Sequence, residues 1–311
     1  MQLPRQILGL ILWATCLGCL SAADRPNVLF IAIDDLRNDL GVLGVEHAQT
    51  PHLDRLARSS RLFTHHYVQV PTCGASRCAL LRGQYPDVKA QVSNNAIKET
   101  HAEWGDRSLP AWWRQHGYRT YSLGKITHYP GGLTGGDWNA PPEELPGAWD
   151  RSWIPDSPWK TSLAMMHGYA NGKPRERGVT PPWEAVDESD HAYPDAWVAD
   201  NAIAQLQTLS KSEEPWFFAV GFFKPHLPFA APRKWLDMHD PADFPAPTIE
   251  ANAQARPGWH DSGELDGIRS KLGDWGRSCD ARMPARSVTW TNKSVESWRS
   301  WTHLISPTTP L

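Results

Sequence analysis

Apolar residues gather along the chain in a few continuous runs, each closed by charged or polar residues. Asn27 to Ile33 is rich in β-branched side chains and stops at Asp34-Asp35, and Trp216 to Phe222 stops at Phe223-Lys224-Pro225-His226. Unbroken runs of this length predict parallel strands buried on both faces. Tyr118 to Leu123 predicts a further strand, followed by Gly124-Lys125 and Thr127-His128, and Leu62 to Val68 reads as an edge-like strand. Between these runs the spacing becomes helical. Thr50-Pro51 supplies an N-cap and a first helical residue, with Leu53 and Leu56 on one face of a helix to about Ser59. Ala75 to Leu81 is good helix material ended by Gly83, and Leu109 to His116 is ended by Gly117. Pro194-Asp195 caps a helix with Trp197, Ala199, Ile203, Leu206 and Leu209 on its apolar side. Pro130 to Pro194, rich in Gly, Pro, Trp and Asp, predicts short hairpins and a substrate-facing insertion. Strands alternating with helices imply an α/β fold with its site at the C-terminal ends of the strands.

Composition adds limits. The 311 residues allow one large domain or two, and an apolar share of 41% suffices for a core. A formal net charge of −3 gives no field that would attract nucleic acid. Arg5, the apolar run Ile7 to Leu20 and the small residues Ser21-Ala22-Ala23 read as a signal peptide over residues 1–23. The run is too short for a stable membrane span, so an exported protein is expected, whether periplasmic, secreted or lysosome-like. Leu17-Gly18-Cys19 offers a lipoprotein anchor as the second choice. Cleavage leaves Cys73, Cys78 and Cys279, an odd number that provides no disulfide framework and gives weight to a special role for one of them. Cys78 lies on a different helix face from Cys73 and reads as a small buried residue.

The polar ends of the runs carry the candidate chemistry, each with two readings open. Cys73 falls at a helix N-terminus, where free N–H groups and the dipole favour an anion and Arg77 returns one turn later; the plainer reading is a helix cap that contains Cys. Asp34 and Asp35 repel each other unless a hard cation such as Ca²⁺ or Mg²⁺ joins them; the plainer reading is a solvated turn neutralised by Arg37. Lys125 and His128 beyond one strand, and Lys224 and His226 beyond another, are either ligand contacts or ordinary loop edges.

Cys73-Gly74-Ala75-Ser76-Arg77, with Leu81 and Gly83 after it, resembles the sulfatase signature Cys-x-Pro/Ala-Ser-Arg with its trailing Leu-x-Gly. Ser122 to His128 resembles the Gly-Lys-x-x-His segment of the iduronate-2-sulfatase-like subgroup, and Lys224 to Phe229 resembles the family's Lys-Pro-His-x-Pro-Phe loop. The resemblance implies an alkaline-phosphatase-like mixed sheet flanked by helices. It implies that Cys73 is converted to formylglycine by a sulfatase-maturing enzyme. It further implies a Ca²⁺ ion, with Mg²⁺ as the alternative, held by Asp34, Asp35 and the modified Cys73. Arg77 would support the nucleophile, Lys125 and His226 would bind sulfate, and His128 would serve as acid or base. The implied substrate is a sulfated polysaccharide or oligosaccharide carrying uronic acid. A related phosphohydrolase would place Ser or Thr at the nucleophile, which Cys73 argues against.

The resemblance covers residues 24–267, an incomplete N-terminal catalytic domain, and the C-terminal subdomain is expected to be absent. Residues 268–311, with Trp275, Trp290, Trp298 and Trp301 among Ser, Arg and Thr, lack strand or helix periodicity. Reading the third base of each codon with the first two of the next forces Ala at Met283-Pro284 and Asp at Trp290-Thr291 and Trp301-Thr302. The string so permitted is similar to the helix before the last catalytic strand of this subgroup, so an out-of-frame tail is expected. A truncated, catalytically inactive fragment is the alternative reading of the whole.

Overall fold

The computed structural model describes residues 25–129, 144–176 and 178–240. The signal peptide expected over 1–23, the alternative lipoprotein anchor at Cys19 and the tail expected to be out of frame over 268–311 lie outside these residues.

In chain order the principal elements are β1 (Val28–Ile33), α1 (Pro51–Arg58), α2 (Cys73–Arg82), α3 (Ala96–Trp104), α4 (Leu109–Gln115), β2 (Arg119–Gly124), β3 (Arg151–Trp153) and α5 (Ser162–Met166). They continue with β4 (Trp183–Val186), α6 (Pro194–Leu209), β5 (Trp216–Phe222), β6 (Phe229–Pro232) and α7 (Arg233–Leu236). Four strands form a sheet in the order β1-β5-β2-β3, and β4 pairs with β6 in a second sheet of two. All the pairings described are parallel. The three longest strands therefore point the same way, and their polar ends meet at one edge.

β5 is buried along its whole length. Its alternate side chains serve two cores. Phe218, Val220 and Phe222 join Leu123 and the α6 residues Val198, Ala199, Ala202, Leu206 and Leu209 on one face. Phe217 and Ala219 join Cys78, Leu81, Ile97, Trp104 and Ala111 on the other. Burial of each β5 phenylalanine is worth about 2 kcal/mol, which makes this strand the anchor of both layers. Near their C-terminal ends β2 and β5 meet at Gly124 and Gly221. Gly124 has φ +72°, and a Cβ there would run into the Gly221 carbonyl. A Cβ on Gly221 would likewise strike the Lys125 backbone.

Most of the predicted elements are present, with four differences. β1 is half-buried rather than buried, because it is an edge of the described sheet. Leu62 to Val68 forms no strand, and Phe63, Tyr67 and Val68 are exposed. Strand propensity without a neighbour to pair with leaves the segment as coil. α1 buries His52, while Leu56 faces outward. Between residues 144 and 194 the short strands pair in parallel with distant ones, β3 with β2 and β4 with β6, rather than with each other as hairpins.

Candidate active site

Asp34 directly follows β1, and its backbone N–H donates to the Phe222 carbonyl at 3.2 Å. Asp35 then takes a left-handed conformation, φ 56°, which an Asp tolerates better than most residues. In a continuing strand the two side chains would point to opposite faces. The left-handed residue breaks that alternation, and both carboxylates reach Cys73. Its Sγ lies 3.8 Å from Asp34 Oδ2 and 3.7 Å from Asp35 Oδ1.

Cys73 is the first residue of α2, and Gly83 ends that helix in a left-handed conformation. The Gly74 N–H, one of the helix's free donors, goes to Asn94 Oδ1 at 3.0 Å. One turn along, Arg77 is buried and makes three bonds. It donates to Asp34 Oδ1 at 2.9 Å and to the carbonyls of Lys125 and Ile126 at 2.5 and 2.9 Å. Arg77 thus ties α2 to the ends of both β1 and β2.

Lys125, wholly buried, donates from Nζ to Asp34 Oδ2 and lies 2.9 Å from Met166 Sδ. Burial opposes the Asp34 charge, but Arg77 and then Lys125 outweigh it and hold this carboxyl well below the usual carboxylate range. The Cys73 thiol goes the other way. Burial pushes it up to about 12, with the Asp34 and Asp35 charges adding against the cations Lys125 and Arg77. As a plain thiol, Cys73 is a poor nucleophile at neutral pH.

His128 and His226 are both buried. Burial, then the Lys125 charge, lowers His128 to about 3 and holds His226 well below its ordinary value, so both rings are neutral at pH 7. His226 Nδ1 lies 2.7 Å from the Leu227 carbonyl, which fixes the proton on Nδ1 and leaves Nε2 as an acceptor. His128 Nδ1 has no hydrogen-bond partner among the described residues.

Asp34, Asp35, Cys73 and His226 each offer one ligand atom, and all four atoms lie within 4.8 Å of one another. Two carboxylates suit a hard cation, and an oxygen in place of the thiol sulfur would suit it better. The donor set therefore fits a divalent ion. His226, expected on the sulfate, stands with these donors, and its Nε2 lone pair suits a cation.

Asp34, Asp35, Cys73, Arg77, Lys125 and His226 lie in this cluster or bonded to it. His128 lies near enough to feel the charges of Lys125, Arg77 and Asp34, whereas the Lys224 ammonium is spent on backbone carbonyls. Three further residues were not anticipated. Buried Glu144 accepts the Tyr129 N–H at 2.5 Å, and burial pushes its carboxyl up to about 7. Buried Asp195 accepts the N–H groups of Phe223 and Lys224 at 3.0 and 2.9 Å. The third is Asn94. The Pro194-Asp195 helix start was a signal for Asp195; nothing local marks Glu144 or Asn94.

The parallel strands, the helices on both faces and the ligand cluster at the strand ends define an alkaline-phosphatase-like α/β fold. The phosphonate monoester hydrolase of Agrobacterium radiobacter superimposes with a TM-score of 0.63 at 22% identity, over 90% of this chain and 60% of that one. The sulfatase family model matches residues 26–272. Iduronate 2-sulfatase of Homo sapiens is 30% identical over 250 residues, 75% of this chain and 42% of that protein. A sulfatase of Formosa agariphila is 29% identical over 238 residues, 74% of this chain and 45% of the other. The chain belongs to the sulfatase family. It spans less than half the length of these two curated relatives.

Proposed function

We propose that the chain is a sulfuric ester hydrolase acting on a sulfated glycan, similar in preference to iduronate 2-sulfatase, with Cys73 matured to formylglycine. The observation that carries this reading is the placement of Cys73 Sγ at a helix N-terminus, 3.8 and 3.7 Å from the two carboxylates of Asp34 and Asp35. Hydrated formylglycine at this position would supply an oxygen that attacks sulfur and displaces the glycan alcohol, and a second hydroxyl whose loss of a proton restores the aldehyde as sulfate leaves. A Ca²⁺ or Mg²⁺ ion held by Asp34, Asp35, the modified residue 73 and His226 would draw charge from the sulfate oxygens.

The chain's own residues have separable tasks. Arg77 orients Asp34 and holds the turn after β2 through two carbonyls. Lys125 faces the sulfate, its ammonium as counter-charge, while the Nε2 lone pair of His226 is turned to the metal position. His128, neutral at pH 7, accepts the proton released when the second hydroxyl collapses. Export, expected from residues 1–23, would bring the enzyme to extracellular or luminal glycans. Among the described residues no helix is long and apolar enough to cross a membrane.

A second reading, an anion-binding fragment without turnover, is favoured by the donor count. The four groups gathered among the described residues are fewer than the six to eight oxygens typical of Ca²⁺. A peptide mass spectrum across Gln69 to Arg77, from protein made in its native host, separates the two. A mass about 18 Da below that of unmodified Cys, with the hydrated form beside it, supports maturation. Unmodified Cys together with no release of sulfate from an aryl sulfate ester rejects the hydrolase reading.

A further inference from the structure

Lys224 stands in the same loop as His226, yet its ammonium does not face the ligand cluster. It is wholly buried, and Nζ donates to the carbonyls of Met166 at 3.0 Å, His226 at 3.1 Å and Pro228 at 2.8 Å. A lysine ammonium has three N–H donors and no acceptor, so these three bonds use all of it. None is left for a sulfate oxygen, which separates Lys224 from Lys125.

The partners lie on two separate segments. Met166 closes α5, and its Sδ rests 2.9 Å from Lys125 Nζ. The next residue, His167, packs edge-on against the His226 ring with centroids 5.5 Å apart. His226 and Pro228 belong to the loop after β5. Asp195, in the first turn of α6, grips the start of that loop through the backbone N–H groups of Phe223 and Lys224. Asp195 thus holds the start of the loop through its N–H donors, and the Lys224 side chain holds the rest of it through carbonyl acceptors, so both buried groups are satisfied by backbone.

We infer that Lys224 and Asp195 are two buried positioning residues of one loop, which together tie the α5 end to the loop after β5 and so set Lys125 for the anion and His226 in the ligand cluster beside it. The inference rests on the reading of this site as a sulfate site. An uncharged side chain at 224 would orphan three carbonyls. It would also free Met166 from the loop, and with it the contacts that fix Lys125 and the His226 ring.

The test uses the full chain carrying Lys224→Met, with a urea melt to establish that it folds and isothermal titration of inorganic sulfate as the ligand probe. In parallel, selective ¹⁵N-histidine labelling follows the Nδ1–H of His226, assigned by its loss in His226→Gln. The expected result is a cooperative melt, a sulfate Kd raised tenfold or more, and loss or fast exchange of the His226 Nδ1–H signal. An unchanged His226 signal with sulfate affinity within twofold of the parent would overturn this positioning role. If Lys224→Met does not fold, Asp195→Asn, which keeps one acceptor oxygen, is put through the same two measurements with the same criteria. If the parent chain itself binds no sulfate, the sulfate reading fails by itself. The His226 signal then decides whether Lys224 holds the loop.

Discussion

The two ends of the parallel sheet carry the same kinds of charged residue and use them in opposite ways. At the C-terminal end, Asp34, Arg77, Lys125, Lys224 and Asp195 are buried, and each meets fixed partners. At the N-terminal end, Arg114, Arg119, Asp150 and Glu214 line an open cleft of about 530 Å³. There Arg119 pairs with Glu214 at 3.0 Å and Arg114 with Asp150 at 3.2 Å, with half or more of the Arg119 and Glu214 side chains in water. Burial makes the difference. Water screens the second set, so its ion pairs contribute little and constrain little. Removed from water, each member of the first set must be met by an opposite charge or by backbone hydrogen bonds, and a site built that way is held in place before any ligand arrives.

The largest effect should come from breaking the buried end. Arg77→Ala leaves Asp34 with Lys125 as its remaining strong partner and orphans two carbonyls. It should cost about 3–5 kcal/mol in a urea melt and abolish the proposed sulfate ester hydrolysis. A loss below about 1 kcal/mol would mean that the buried end is as loosely held as the exposed one.

The next largest effect tests burial without a counter-ion, at Glu144. Its carboxyl is raised from 4.5 to about 7, so between these values the folded chain holds a proton that the unfolded chain has released. Stability from this group is present at low pH and falls as pH rises through the window, by on the order of 3 kcal/mol. His128 and His167, lowered from 6.5 to about 3 and about 4, act in the opposite sense. The unfolded chain protonates them first, and stability falls as pH drops below 6.5. Glu144→Gln removes the first effect and keeps the second. Between pH 7 and pH 4.5 the variant should therefore lose on the order of 3 kcal/mol more than the parent, measured by urea melts at both values. Equal losses would show that Glu144 is ionised in the folded chain.

The smallest effect belongs to the exposed end. Arg114→Ala removes the Asp150 pair and a bond to the Gly147 carbonyl at 2.8 Å. It should cost at most about 1 kcal/mol, and much of that should vanish in molar salt. A salt-independent loss of several kcal/mol would erase the contrast between the two ends.

How far the sequence revealed this arrangement follows from the range of each interaction. β5 and α2 were legible because their signals are local: an unbroken apolar run in one, helix-favouring residues closed by Gly83 in the other. Cys73, Asp34, Asp35, Lys125, His128 and His226 were marked by motifs at the ends of such elements, and the fold brings them together. Leu62 to Val68 was misread because strand propensity says nothing about whether a neighbour is present to pair. α1 buries His52 in place of the predicted leucine face, a choice set by what lies under the helix. Asp195 was read as a cap for its own helix, yet its carboxylate goes to the loop after β5, some thirty residues on. Glu144 acts on a backbone N–H fifteen residues earlier, and no local pattern announces such a contact.

The close approach of Gly124 and Gly221 has a consequence for how this protein can evolve. Neither residue has a side chain to offer a ligand, yet both positions are closed to neutral drift, because the first methyl group added to either would prise apart the strands that carry Lys125 and the loop of Lys224 and His226. New substrate preferences therefore have to be sought in the surrounding loops, above a junction whose codons are effectively frozen.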